Sequence, residues 1–151
     1  MDLRPAQPHE AGALSELALE SKGHWDYDEA FLAACREELT LRPADIGRRR
    51  ATVAEEDGRI LGFTLLDGTP PDGALGMMFV APGAIGRGVG RLLFEHTTAE
   101  ARRLGFARLL IDSDPNAEPF YLAMGAVRIG ATPSGSIPGR VLPLMEYALT
   151  R

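Results

Sequence analysis

The chain has 151 residues, of which 45% are hydrophobic and 25% are charged, and its net charge is −5. This size and composition predict a single domain spanning residues 1–151 and exclude disordered and collagen-like chains. The acidic balance argues against a nucleic-acid partner, and no apolar run reaches the roughly 18 residues needed for a membrane span.

One cysteine excludes an internal disulfide and a cysteine-rich zinc site. The first residues lack the apolar core of a signal peptide, which predicts a cytoplasmic protein. In the first half of the chain, spacing and turn signals predict a short strand, two helices, a turn and two strands, at residues 3–5, 9–21, 28–39, 42–45, 50–55 and 60–66. The Asp57–Gly58 step between the last two strands is typical of a tight hairpin turn.

The second half begins with a surface loop at residues 67–73 and an apolar run at residues 75–80, which predicts a central strand buried on both faces. The remaining elements are a helix, a strand, a helix and two strands, at residues 89–104, 108–112, 117–124, 127–130 and 141–149. The order β-α-α-β-β-β-α-β-α-β-β predicts an α+β fold with a mixed, mostly antiparallel sheet flanked by helices. Hairpins require antiparallel neighbours, and the two late helical crossovers predict parallel ones.

A glycine-rich loop, Gly86-Arg87-Gly88-Val89-Gly90-Arg91, joins the apolar strand to a helix. Free amides at a helix N-terminus favour a phosphate group, and Arg87 and Arg91 add charge-assisted contacts. A Walker P-loop is excluded because its lysine is missing. Two alternatives stay open: a plain strand-to-helix turn, and a dinucleotide site with Asp112 as the ribose contact, which lacks its third glycine.

Two segments resemble the signatures of the GNAT superfamily of N-acetyltransferases. Residues 85–90 resemble its acetyl-CoA loop, Gln/Arg-x-x-Gly-x-Gly/Ala, with Ile85 in place of the first residue. Residues 114–126 resemble a second signature, in which an Asn precedes a helix that carries a Tyr and ends at a Gly. The predicted element order also matches the GNAT fold along nearly the whole chain.

The resemblance implies acetyl-CoA as cosubstrate, no metal, and direct transfer without an acyl-enzyme, so that Cys35 is a core residue rather than a nucleophile. It implies that the strand ending at Val80 separates from the strand ending at Asp112. The pantetheine arm of acetyl-CoA would then pair with the backbone of the strand that ends at Val80. Tyr121 is implied to be the general acid, because a phenol is protonated at neutral pH. The implied cofactor-binding residues are Met78, Phe79, Val80, Gly86, Arg87, Gly88, Val89, Gly90, Arg91, Asn116 and Phe120.

The acceptor site is expected between the first two helices. Trp25 and Tyr27 would form its aromatic wall and Asp26 would attract a cationic amine, although a packed inter-helix loop is an equal alternative. Residues 134–140 would contact the acceptor or a partner subunit in a homodimer. The family often carries a Glu on the central strand, but residues 74–79 offer no carboxylate, so the general base is His24, Asp26, Asp112 or, preferably, water.

These features predict an acetyl-CoA-dependent N-acetyltransferase that acts on the primary amine of a small molecule. The alternatives are an acyl-CoA-binding regulatory module with a degenerate active site and a protein N-acetyltransferase. Asn116 is expected to reach the cofactor arm through its amide or to N-cap the helix that follows it.

Overall fold

The computed structural model describes residues 1–25 and 27–149, and within these ranges seven strands form one sheet flanked by five α-helices. The strands are β1 (Asp2–Pro5), β2 (Thr52–Glu56), β3 (Arg59–Thr69), β4 (Asp72–Val80), β5 (Arg108–Asp112), β6 (Val127–Pro133) and β7 (Val141–Ala148). The helices are α1 (Ala11–Gly23), α2 (Glu29–Leu39), α3 (Pro43–Arg48), α4 (Val89–Leu104) and α5 (Glu118–Ala123). None of these helices has the length and apolar character that a membrane crossing requires.

The sheet order β1-β2-β3-β4-β5-β7-β6 confirms the predicted α+β class. Among the described strands, β4 and β5 are the only neighbours that pair in parallel, and α4 makes the crossover between them. The second predicted parallel neighbour is wrong. After the α5 crossover, β6 runs in the direction of β5, but β7 lies between the two and pairs antiparallel with both.

The predicted β2–β3 hairpin turn and the predicted glycine cap of α4 are both confirmed, and both depend on residues with a positive φ angle. Asp57 and Gly58 have φ angles of 52° and 77°, which close the β2–β3 hairpin with Glu56 opposite Arg59. Gly105, with φ of 94°, ends α4 in the left-handed conformation.

Two predicted irregular segments are instead regular. The predicted turn at residues 42–45 begins α3, because Pro43 is accepted in a first helical turn and the Asp45 carboxylate accepts the Arg42 N–H at 2.8 Å. The predicted loop at residues 67–73 is the end of a long hairpin, in which Asp67 pairs with Ala74 and Thr69 with Asp72.

Strand β4 is buried on both faces in its middle, where Leu75 and Met77 pack in different clusters, and a bulge between them explains why they lie on opposite faces. Leu65 pairs with Met77 but Leu66 pairs with Leu75, so Gly76 is the extra residue of β4. Pairing with β5 stops just before it, at Ala74 opposite Leu110. Beyond this point β4 and β5 separate, and the last residues of β4 are only half-buried.

The bulge also divides the core between the two faces of the sheet. Met77 packs with the α1–α2 cluster, which includes Leu14 and Cys35, and Cys35 is buried as predicted. Leu75 packs on the opposite face with Phe94 of α4. Helices therefore cover both faces, and the gap between β4 and β5 opens between them.

Candidate active site

A cavity of about 540 Å³ lies where β4 and β5 separate. Most of the predicted site residues line it: Trp25, Met78, Phe79, Val80, Gly86, Gly88, Val89, Gly90, Arg91, Asn116, Phe120 and Tyr121. Tyr27 and Arg87 do not line it, and Asp26 lies outside the described residues. The cavity between the separated strands is therefore lined by residues from the ends of β4 and β5 and from the helices on both faces of the sheet.

The free edge of β4 forms one wall of the cavity. The Ala81 N–H donates to the Leu61 carbonyl at 2.8 Å, so the backbone of residue 81, and of residue 79 before it, faces β3. The alternation then turns the backbone groups of Met78 and Val80 toward the cavity, where β5 has moved away. These unpaired groups suit an extended ligand that carries amides. Phe79 contributes its side chain, since its backbone faces β3.

The glycine-rich loop forms the second wall. Gly86 and Gly88 have φ angles of 88° and 82°, and a Cβ built on either meets nothing within 4 Å. Gly88 is the N-cap of α4 and provides no side-chain cap, so first-turn N–H groups of this 16-residue helix are free for an anion. A Cβ at Gly90 would lie 3.3 Å from the Phe120 ring, so a larger residue here would require that ring to shift.

Both loop arginines are already paired with carboxylates. The Arg87 guanidinium lies 2.7 Å from Glu56, and Arg91 lies 3.0 Å from Glu95 on the next turn of α4. The anion-binding capacity of the loop therefore comes mainly from its backbone. The dinucleotide interpretation fails, because this mostly antiparallel sheet is not the doubly wound parallel sheet that such a loop requires.

Tyr121 projects from α5 into the cavity. Its side chain is only 5% exposed, and its ring packs against Phe94 and Phe120, with centroid distances of 6.2 and 5.3 Å. Its hydroxyl has no hydrogen-bond partner among the described residues, yet none of their fully enclosed side-chain polar atoms is unpaired, so this oxygen opens into the cavity. Burial, with the nearby charge of Asp114, raises the pKa of Tyr121 and keeps the phenol protonated.

Asp114 is the centre of a network that joins three segments. The Tyr27 hydroxyl donates to its carboxylate at 2.9 Å, Asn116 Nδ2 donates at 2.9 Å, and Lys22 Nζ lies at 3.4 Å. Arg140 Nη2 donates to the Tyr27 hydroxyl at 2.9 Å. The network connects the α1–α2 segment, the β5–α5 loop and the β6–β7 loop at one end of the cavity.

The network changes two expectations. Tyr27 is fixed in it and stacks on Phe31 at 4.0 Å, rather than walling the cavity, and burial with the Asp114 hydrogen bond raises the pKa of Tyr27 to about 12. Asn116 is not the N-cap of α5, which is Ala117; it lies inside the 3-10 turn Pro115–Ala117, which Asp114 caps by accepting the Asn116 N–H at 2.8 Å. The amide oxygen of Asn116 has no partner among the described residues and remains available at the cavity.

Glu38 of α2 also lines the cavity, although it was not among the site residues predicted from the sequence. Its carboxylate accepts a hydrogen bond from the Ser136 hydroxyl of the β6–β7 loop, and Asp112 at the end of β5 lines the same cavity. Burial, with the charge of Glu38, raises the pKa of Asp112. The signal for Glu38 was its position one helical turn after Cys35, on the side of α2 that reaches the sheet.

The comparisons with known proteins agree with this geometry. Residues 13–135 match the family model described as the acetyltransferase (GNAT) domain. The peptidyl-lysine N-acetyltransferase YiaC of Escherichia coli strain K12 is 36% identical over 125 residues, covering 82% of this chain and 81% of the relative.

Two solved structures share the fold over nearly the whole chain. A GCN5-related N-acetyltransferase from Rhodopseudomonas palustris is similar with a TM-score of 0.81 and 26% identity, covering 97% of this chain and 94% of that one. PaiA N-acetyltransferase from Thermoplasma acidophilum, in complex with coenzyme A, has a TM-score of 0.81 at 18% identity, covering 97% and 98%. The second similarity concerns the fold alone.

Proposed function

Because this chain belongs to the GNAT family of acetyltransferases, it is an acyltransferase that uses acetyl-CoA, and we propose that it transfers the acetyl group directly to a primary amine of a small molecule. The observation that carries the proposal is the arrangement of one cavity. The N-terminus of α4, the free edge of β4 and the Tyr121 hydroxyl all lie along it.

The donor end of the cavity fits acetyl-CoA. The open space above Gly86 and Gly88 and the first-turn amides of α4 suit a pyrophosphate, and the backbone of Met78 and Val80 suits the amides of a pantetheine arm. Phe120 supplies an apolar surface beside that edge. When bound, acetyl-CoA supplies a thioester whose carbonyl carbon accepts an amine. The backbone of the chain holds and orients this donor.

Tyr121 would supply a proton where the thiolate leaves. The burial that raises the pKa of its phenol also disfavours a thiolate anion in the same cavity. Proton transfer from Tyr121 to the sulfur therefore removes one buried charge as it creates another. The unpartnered hydroxyl is free to approach that sulfur, since no described residue holds it elsewhere.

The shape of the acceptor end favours a small molecule. The β6–β7 loop is fastened across it by Ser136 on Glu38 and by Arg140 on Tyr27. A loop held over the cavity in this way leaves less room for a folded protein surface than for a free amine. A peptidyl lysine is the second candidate acceptor, and the 36% identity to the E. coli lysine acetyltransferase supports it.

A panel of acceptors tests the proposed substrate class. Coenzyme A release is measured with simple monoamines, diamines and amino acids, and with peptides whose lysine is the sole amine. We expect kcat/KM for the best small amine to exceed that of the peptides by about tenfold, or about 1.4 kcal/mol of transition-state stabilisation. The reverse order would replace the small-molecule proposal with the peptidyl-lysine one.

Trp25 is predicted to wall the acceptor end rather than to support the fold. Its side chain is 41% exposed and lines the cavity. Trp25→Ala is expected to raise the acceptor KM and to leave acetyl-CoA binding unchanged. Because the ring is partly exposed, the free energy of unfolding should change by much less than the about 3–5 kcal/mol of a packed core tryptophan.

His24→Ala is the control for Trp25→Ala, since the two rings touch edge to face at 5.1 Å but His24 does not line the cavity. Steady-state kinetics and thermal unfolding are measured for both variants. A large loss of stability in Trp25→Ala with an unchanged acceptor KM would return Trp25 to a packing role.

A further inference from the structure

The carboxamide of Asn116 is held by two hydrogen bonds, although the residue itself is exposed. Its nitrogen Nδ2 donates to Asp114 Oδ1 at 2.9 Å and to the Tyr27 hydroxyl oxygen at 3.1 Å. A carboxamide nitrogen carries two hydrogens, so both donors of this side chain are used. The amide oxygen has no partner among the described residues, and Asn116 lines the cavity.

The chemistry of the partners decides which way round this amide lies. A carboxylate accepts hydrogen bonds and donates none, so Asp114 attracts the NH2 group and repels the amide oxygen. The Tyr27 hydroxyl donates its own hydrogen to Asp114 at 2.9 Å and accepts one from Arg140 at 2.9 Å. A reversed amide would place its oxygen against a carboxylate oxygen and against a hydroxyl whose hydrogen is already used. The nitrogen therefore faces the network, and the oxygen is the group left for a ligand.

The network keeps this polarity at neutral pH. Burial alone would raise the pKa of Asp114, but the Asn116 N–H and the charge of Lys22 outweigh it and lower that pKa, so the carboxylate stays ionised. Burial and the hydrogen bond to Asp114 raise the pKa of Tyr27 to about 12, so its hydroxyl keeps its hydrogen. The side chains of Lys22, Asp114 and Arg140 are only 13, 16 and 18% exposed, which limits screening of their charges by solvent.

We propose that Asp114 is a positioning residue, which together with Tyr27 holds the Asn116 amide oxygen toward the cavity to accept an N–H of the pantetheine arm of acetyl-CoA. An extended arm that pairs with the edge of β4 presents its other amide groups to the opposite side, where β5 ends and Asn116 follows. The inference rests on the proposed binding of acetyl-CoA along β4 and not on the class of acceptor. It gives Tyr27, which does not line the cavity, a part in donor binding.

The side-chain amide of Asn116 reports its own hydrogen bonds in the free protein. Its NH2 signals are identified in a nitrogen-15 NMR spectrum by their loss in Asn116→Ala. A hydrogen bond to a carboxylate moves an amide proton downfield. We expect this displacement in the unaltered protein and its loss in Asp114→Asn. Signals at the position of an unbound, exposed amide in the unaltered protein would overturn the proposal.

Asp114→Asn also tests the effect on acetyl-CoA. The variant keeps the cap of the 3-10 turn, since an asparagine oxygen also accepts the N–H of residue 116, but it removes the group that only accepts. We expect the Kd for acetyl-CoA, measured by calorimetry without acceptor, to rise about tenfold, as for one lost hydrogen bond.

Asp28→Asn is the matched control for Asp114→Asn. Asp28 caps α2 by accepting the Phe31 N–H at 2.8 Å, so it has the same capping role, but it does not line the cavity. This variant should keep the Kd for acetyl-CoA and the NMR signals of Asn116. Equal effects of the two substitutions on the Kd would show a general effect of charge and would contradict the positioning role.

A double-mutant cycle shows whether Asp114 acts through Asn116. Asn116→Ala removes the amide, so adding Asp114→Asn to it should not raise the Kd further. Tyr27→Phe keeps the ring that stacks on Phe31 and removes one of the two partners of the amide. It should raise the Kd less than Asp114→Asn and also add nothing to Asn116→Ala, and it provides the same test if Asp114→Asn does not fold. An equal rise of the Kd with and without the Asn116 amide would overturn the proposal.

These measurements use acetyl-CoA without an acceptor, so they do not depend on which amine the enzyme acetylates. If acetyl-CoA does not bind the unaltered protein, the proposed donor site fails, while the NMR signals still test how the amide is held. If Asn116→Ala binds acetyl-CoA as tightly as the unaltered protein, the donor site stands and the role of the amide fails. The two failures are therefore distinguishable.

Discussion

Tyr121→Phe is expected to lower kcat by about 100-fold or more while acetyl-CoA binding is retained, because it removes the proton donor and keeps the ring. The ring contacts with Phe94 and Phe120 remain in the variant. The hydroxyl makes no hydrogen bond to a described residue, so its loss should change the free energy of unfolding little. Steady-state kinetics and thermal unfolding with acetyl-CoA provide the two measurements.

Tyr147→Phe is the matched control. The Tyr147 ring also packs against Phe94, at 5.0 Å, and its hydroxyl accepts a hydrogen bond from Arg102, but it does not line the cavity. This variant should keep full kcat. If Tyr121→Phe also kept full kcat, Tyr121 would be a packing residue and the proton donor would have to be sought elsewhere.

The raised pKa of Tyr121 adds a pH dependence to this prediction. A general acid works while it is protonated and fails as pH rises through its pKa. Because burial raises the pKa of this phenol above its ordinary value of about 10, any fall of kcat that is due to Tyr121 should lie above pH ~10. A fall near neutral pH would have to come from another group.

Both ends of helix α4 could be predicted from the sequence because a local signal marks each of them. Its apolar side chains repeat at helical spacing, and glycines in the left-handed conformation precede and follow it at Gly88 and Gly105. Helix α3 was missed for a related reason. Pro43 indicates a turn as readily as a first helical turn, and only the burial of Ile46 in the core distinguishes the two.

The separation of β4 from β5 was expected from the family resemblance but not from the residues of β4. An apolar run at residues 75–80 has the same pattern whether its partner strand continues beside it or moves away. The bulge at Gly76 depends on the pairing register with β3, which is a tertiary property. The sequence therefore predicted the buried strand but not the free edge along its last residues.

The two ends of the candidate site differ in how far the sequence reveals them. The donor end works through backbone amides and glycine conformations, and a local motif encodes both. Glu38 and Ser136 are 98 residues apart in the chain, and no local pattern reports that α2 meets the β6–β7 loop. For Tyr27, the sequence predicted its position between α1 and α2. It did not predict the hydrogen bond to Asp114, because that residue lies in a loop 87 residues away.

Gly88→Glu is expected to abolish the thermal stabilisation by acetyl-CoA, because it places a carboxylate where the pyrophosphate would lie. A ligand that binds only the folded state at 100 times its Kd stabilises that state by about 2.7 kcal/mol, and this increment should disappear. A side chain at Gly88 has open space but must adopt a φ of 82°, so some loss of stability without ligand is expected as well.

Gly58→Glu separates that strain from the loss of binding. Gly58 has a φ of 77° and open space around its Cα, but it lies in the β2–β3 turn and does not line the cavity. It should lose a similar amount of stability and keep the full acetyl-CoA effect, measured by thermal unfolding over a range of ligand concentrations. A folded Gly88→Glu that acetyl-CoA still stabilises would exclude the N-terminus of α4 as the phosphate site, because a carboxylate there cannot share those amides with a pyrophosphate.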